Sequence, residues 1–532
     1  MNVCYDHARI FTADGKQAEC FVVNQGHFVF VGKAEDAVRL FPDAQHIDLH
    51  GQFVCPGFND SHMHLLNLGN MLTQAQLAPV TNALSAVLSE LGSYVRQHPD
   101  EHWILGRGWN QDYFTDESRY PTRDDLDAVC PDKPCLITRA CGHVAIANSC
   151  ALALAGIADA APHVEGGRVA TDAAGRPNGL LEENALELIN NVIPVPDRAQ
   201  IKQRLLLAMA HVNRFGITSV QSDDFSSTKA SFEEVIAAYL ELKEEGRMTV
   251  RVTEQCLFGD KETLMRFLDQ GYCTGWGDEW FRIGPLKLIG DGSLGSRTAL
   301  LREPYADAPD TCGIATYSPE ALSELIEIAH SSGMQVAIHA IGDGAAENVL
   351  NSIERAQELH PRKDARHGIV HAQILTHTQA KRMKDLDMHA YIQPIFLDYD
   401  TKIVYPRIGK RADEAYPAAS LRKLGVTISS GSDSPVEPPD VMTGIQCAVT
   451  RKPVTRSAEH AYLPHEALLL SEALLSFTAY GAYASFEETL KGKIQTGMLA
   501  DFVVLDIDPF ETDPQYLHRI PIRQTIIGGA KV

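Results

Sequence analysis

Eight short apolar runs rich in β-branched residues recur along this chain, and helical stretches separate most of them. The first leads from Phe53-Val54-Cys55 toward His62 and His64, and the others are Ile217–Gln221, Val250–Thr253, Ile283–Ile289, Gln335–His339, Gly368–His371, Ala390–Gln393 and Val426–Ser430. Such alternation is the pattern of parallel βαβ units. Eight of them close an α/β fold of the TIM-like (β/α)₈ barrel type, in which chemistry sits at the carboxyl ends of the strands.

The flanks read differently. Cys20–Val23, the turn Asn24-Gln25-Gly26 and His27–Gly32 form a hairpin pattern, followed by a helix over Lys33–Phe41 that stops before Pro42. Ala500–Asp506 and Gln524–Ile527 read as strands, so residues 1–54 and 488–532 are expected to pack as one small β domain beside a barrel over 55–487. Residues 65–215 are too many for one βα loop. They carry strand-like pieces of their own, Trp103–Gly106 and Cys135–Thr138, and a hairpin-like stretch over 166–177. An insertion leaving the top of the first strand is expected to act as a lid and substrate selector.

Composition narrows the partners. A net charge of −22 repels phosphate backbones, which disfavours nucleic acid and leaves a small molecule as the expected ligand. No apolar run is long enough to span a membrane, and the first residues lack the basic and apolar regions of a secretion signal. The 11 cysteines are scattered without a Cys-x-x-Cys pair, so they read as reduced thiols of a cytoplasmic protein.

The ionisable residues cluster at strand ends. His62 and His64, two apart, face one point if their segment is extended. Lys287 lies in the fourth run, His339 ends the fifth, His371 ends the sixth, and Asp433 follows the eighth in Gly431-Ser432-Asp433-Ser434-Pro435. Taken singly, His-x-His could be a surface pair, Lys287 could point outward and Asp433 could be a turn residue. Taken together at one barrel face, four imidazoles and a carboxylate make an N/O metal site with an open position, the kind that activates water.

These motifs, with Asp291-Gly292-Ser293 and Ile338–Asp343, resemble the amidohydrolase superfamily, in the branch called amidohydrolase family 3, typified by N-substituted formamide deformylase and including exoenzyme regulatory protein-like chains. The likeness covers nearly the whole chain, including Gly26–Gly32 and Gly497–Phe502, which look like that family's β-sandwich. It implies one or two divalent metal ions, zinc being the expected metal, held by His62, His64, His339, His371 and Asp433. It also implies a carbon dioxide-derived carboxylate on Lys287 if the site is binuclear, and Asp433 as the proton-handling catalytic residue. Trp109, His143, Glu182 and Asp291 are candidate substrate-binding residues, with plain core or turn roles standing beside. One departure is Val370, where family members often carry Glu. The expected reaction is hydrolysis of a small, non-peptide amide-type C–N bond. Motif spacing leaves open a ring-amine deaminase, a phosphotriester or lactone hydrolase, or a silent regulatory barrel; a homodimer is a further expectation from the resemblance.

Overall fold

The computed structural model describes residues 1–532. Its centre is an eight-stranded parallel sheet in which every strand pairs with its neighbour in sequence. We label these strands β1 (Phe58–Met63), β2 (Ile217–Ser222), β3 (Arg251–Leu257), β4 (Phe281–Ile289), β5 (Val336–Ala340), β6 (Gly368–His371), β7 (His389–Ile392) and β8 (Thr427–Ser430). Helices such as Phe232–Glu244, Pro319–Ser331 and Asp343–Leu359 connect them, as the (β/α)₈ pattern requires. Beyond the strand ends, the Asp433 N–H donates to the His62 carbonyl at 2.8 Å and the His64 N–H to the Ser434 carbonyl at 2.8 Å, which draws β8 against β1.

One strand expectation is corrected. Phe53–Pro56 is not the opening barrel strand but pairs antiparallel with Phe502–Leu505 in a five-stranded sheet built from both chain ends. The chain changes sheet at Gly57, where a Cβ would lie 2.2 Å from the Thr218 hydroxyl on β2; only glycine leaves room for that side chain. The hairpin Cys20–Asn24/His27–Gly32 joins Val3–Asp6 and Gln45–Asp48 in a second, four-stranded sheet. Tyr5, Phe21, Phe28 and Phe502 meet between the two sheets, with Phe21 and Phe502 in edge contact at 5.0 Å.

These terminal sheets fall in one compact unit with the barrel, formed by residues 1–67 and 205–532. A buried ion pair ties them together: Arg251, the first residue of β3, grips Asp501 through Nε to Oδ2 at 2.6 Å and Nη2 to Oδ1 at 3.0 Å. Both residues are buried, and the guanidinium also lies 4.3 Å over the Trp280 ring. Removing one member of such a pair strands the other charge in low dielectric. Arg251→Met should therefore cost about 3–5 kcal/mol in urea unfolding followed by tryptophan fluorescence.

Residues 68–204 form a second compact unit around a six-stranded sheet. Its strand Cys135–Arg139 shows why a sheet can carry two cores: Cys135 and Ile137 face one cluster with Ile104 and Trp109, while Leu136 faces another with Ala145 and Leu181. No helix of the chain is long and apolar enough to cross a membrane.

Candidate metal centre

The carboxyl ends of the barrel strands bring together the residues that the spacing singled out. His62 lies near the end of β1, His64 just beyond it, Lys287 in β4, His339 in β5, His371 at the end of β6 and Asp433 just past β8. His62 Nε2 stands 3.3 Å from Asp433 Oδ1, and His64 Nε2 is 3.0 Å from the same oxygen. Lys287 does not turn outward: it is buried, with Nζ 3.4 Å from His62 Nε2. His371 Nε2 lies 2.9 Å from His339 Nδ1.

Strained and close-packed backbone holds this geometry. His371 and Asp433 adopt left-handed φ values of 75° and 59°, a conformation uncommon outside glycine and concentrated at functional sites. Gly431 is needed where β8 meets β1, since a Cβ there would sit 2.6 Å from the His62 nitrogen. Asp60 bridges the same junction, accepting from the His62 N–H at 3.2 Å, the Ser432 N–H at 3.0 Å and the Ser432 hydroxyl at 2.5 Å. Burial pushes its pKa up to about 7.

The outer partners of the imidazoles fix where their protons sit. Gln255 donates its amide N–H to the Ser61 carbonyl, so its oxygen accepts from His62 Nδ1 at 2.7 Å and leaves a lone pair on Nε2. Gln393 does the same for His371, donating to the Tyr391 carbonyl and accepting from Nδ1 at 2.7 Å. His64 Nδ1 donates to the Asp223 carbonyl at 3.3 Å, and His339 Nε2 to the Gly292 carbonyl at 3.1 Å. Four lone pairs therefore point inward, two at the Asp433 carboxylate and two at each other.

Electron pairs so arranged repel unless positive charge lies among them. Burial and the Lys287 ammonium push His62 down to about 4, and burial with the neighbouring His339 holds His371 well below the usual imidazole range. Burial likewise lowers Lys287. At His64 burial works against the cation, but the Asp433 carboxylate outweighs it and raises the pKa. Asp433 is driven well below its ordinary range, burial being overcome by His62 and His64. Imidazole nitrogens gathered around an ionised carboxylate are the donor set of a divalent metal site, so the residues present fit such an ion.

The remaining candidates are engaged by local partners. Asp291, expected in a substrate pocket, is instead buried and accepts from the N–H groups of Leu300, Ile341 and Gly342 at 2.8, 3.0 and 2.8 Å, with Oδ1 3.3 Å from His339 Nε2. It shapes the loops around His339. Trp109 is likewise corrected: it is a core residue of the second unit, its indole N–H spent on the Ile137 carbonyl. In that unit His143 is exposed and paired with Glu183 at 2.9 Å, while Glu182 pairs with Arg168. Gln255, Gln393 and Asp60 were not singled out from the sequence. The one signal was a polar Gln393 closing an apolar run.

The sequence profile of the amidohydrolase family matches residues 45–532. The chain is 35% identical to the amidohydrolase YtcJ of Bacillus subtilis over 97% of its own length and 96% of that protein. It is 27% identical to the N-substituted formamide deformylase of Arthrobacter pascens, covering 98% of this chain and 96% of the other. Among solved structures, an uncharacterized metal-dependent hydrolase from Pyrococcus horikoshii superposes with a TM-score of 0.82 at 29% identity, over 97% of this chain and 99% of that one. Barrel, inward imidazoles and sequence likeness over nearly the full length agree, and the chain belongs to the amidohydrolase family.

Proposed function

We propose that the protein is a metal-dependent hydrolase that cleaves a small, non-peptide amide-type C–N bond. The observation that carries this reading is the set of four imidazole lone pairs turned inward around Asp433 and Lys287. His62, His64 and Asp433 would hold one divalent ion, and His339 with His371 a second, zinc suiting the nitrogen and oxygen donors. When bound, the metal supplies Lewis acidity, polarising the scissile carbonyl and making water a competent nucleophile near neutral pH.

The chain's own residues do the rest. Asp433 presents Oδ1 to both His62 and His64, while no hydrogen bond from the described residues reaches its Oδ2. That oxygen is free to take a proton from the attacking water and return it to the departing nitrogen. Lys287 in its amine form would add carbon dioxide at Nζ, releasing a proton and gaining the anionic carboxylate that a pair of ions needs between them; burial already favours the amine. Gln255 and Gln393 keep the imidazoles in the ligand tautomer. Gln393→Leu should therefore weaken metal binding by about 10–100-fold in a chelator competition.

The test is turnover by metal-loaded protein against N-formyl, N-acyl, cyclic imide and aminopurine compounds, with metal content measured alongside. Hydrolysis of an amide that chelation abolishes supports the reading. Folded protein that takes up no divalent ion and turns over no amide would sink it, and selective loss of ammonia from aminopurines would reassign the site to deamination. All 11 cysteines are free thiols, which supports a reducing, cytoplasmic setting.

A further inference from the structure

The four-stranded terminal sheet has one face turned to the aromatic cluster between the sheets, where Tyr5 meets Phe21 and Phe502. Cys4 and Asp6 flank Tyr5 on the strand Val3–Asp6, so both side chains lie on the opposite face. Cys4 is the parallel partner of His46 in Gln45–Asp48, which brings that imidazole to the same face. Across the other edge of the strand Cys4 lies opposite Val22, and Cys20, two residues before Val22, has its thiol in hydrogen-bond contact with that of Cys4.

Ligand atoms of Cys4, Asp6 and His46 all lie within 4.8 Å of one another. Around a tetrahedral zinc ion such atoms stand about 3.5 Å apart, a closing that side-chain rotation can supply. Asp6 Oδ2 is already 2.8 Å from His46 Nδ1, while its Oδ1 is held 3.2 Å from His7 Nδ1, which orients the carboxylate. An aspartate and a histidine at a sheet edge would by themselves be an ordinary surface ion pair. That pairing leaves the third donor unexplained: a thiol only 2% exposed, packed with Ala37 of the helix Ala34–Leu40 and reaching the same point. Exposure is graded across the trio, the His46 side chain being 45% and the Asp6 side chain 16% exposed. A cation could therefore enter at the imidazole and shed water as it meets the sulfur.

We propose that Cys4, Asp6 and His46 form a second metal site, for a divalent cation of the zinc type, sharing no residue with the barrel centre. Sulfur, nitrogen and oxygen donors together favour zinc-like ions over magnesium or calcium, whose ligands are oxygens. On binding, the Cys4 S–H bond breaks, a sulfur–metal bond forms and the proton leaves to solvent. The role is structural: the ion ties Val3–Asp6 to Gln45–Asp48 on the face away from the aromatic cluster.

The probe is cobalt(II), loaded into the full-length protein with its thiols kept reduced. His62, His64, Lys287, His339, His371 and Asp433 offer no sulfur, so a thiolate-to-cobalt charge-transfer band in the near ultraviolet reports on a cysteine site and not on the barrel centre. Wild type should show this band and carry a further cobalt ion per chain relative to Cys4→Ser, which should lack the band. His46→Gln, at a half-exposed position, should lose the band at the cobalt concentration that saturates wild type. Both variants should keep the metal of the barrel centre, because neither residue belongs to it. Absence of the band in wild type, or a band undiminished in Cys4→Ser, overturns the proposal. So does a His46→Gln protein that binds as tightly as wild type with an unchanged spectrum. If Cys4→Ser does not fold, the wild-type spectrum and His46→Gln decide.

Discussion

Asp433→Asn should lower kcat by about 10²–10⁴-fold while the protein stays folded and still binds divalent metal. The substitution keeps the shape of the side chain, and its amide can donate to the His62 or His64 lone pair that now faces Oδ1 at 3.3 and 3.0 Å. What disappears is a basic oxygen able to carry a proton from water to the leaving nitrogen. Because the step missing is proton transfer, the loss should fall on kcat rather than on KM. Steady-state kinetics together with elemental analysis read both halves of this expectation. An unchanged rate would remove Asp433 from proton transfer, and loss of metal together with rate would make it a ligand alone.

Lys287→Ala should deplete bound metal severely, with a short carboxylic acid such as formate or propionate restoring part of both metal and activity. A buried lysine at 3.4 Å from an imidazole lone pair has two possible uses. If it is merely a buried cation, its removal relieves desolvation and spares metal binding, since the ammonium repels a divalent ion. If it carries a carboxylate between two ions, its removal deletes a ligand, and an added acid can replace it. Metal content measured with and without the acid separates these outcomes. Full metal occupancy in Lys287→Ala would refute the bridging role.

Much of the fold was legible because barrel strands are local objects. Ile283–Ile289 and Gly368–His371 declare themselves by composition and by the helices between them, and the structure finds strands at Phe281–Ile289 and Gly368–His371. Phe53-Val54-Cys55 misled for the same reason. It is a good strand wherever it pairs, and its neighbour across the sheet, Phe502–Leu505, lies at the opposite end of the chain. Nothing near residue 53 shows that Gly57 must slip past Thr218 before the barrel begins.

The inward-facing imidazoles divide along the same line. Residue type and position at a strand end placed His62, His64, His339, His371 and Asp433 on one face, because parallel strands in a barrel all point their carboxyl ends the same way. Which nitrogen carries the proton was not legible at all. That depends on Gln255, 193 residues from His62, and on Gln393, 22 residues from His371, two neutral amides with no motif of their own. Local patterning is written in short-range spacing, whereas proton placement and charge compensation are properties of groups that meet only after the chain has folded.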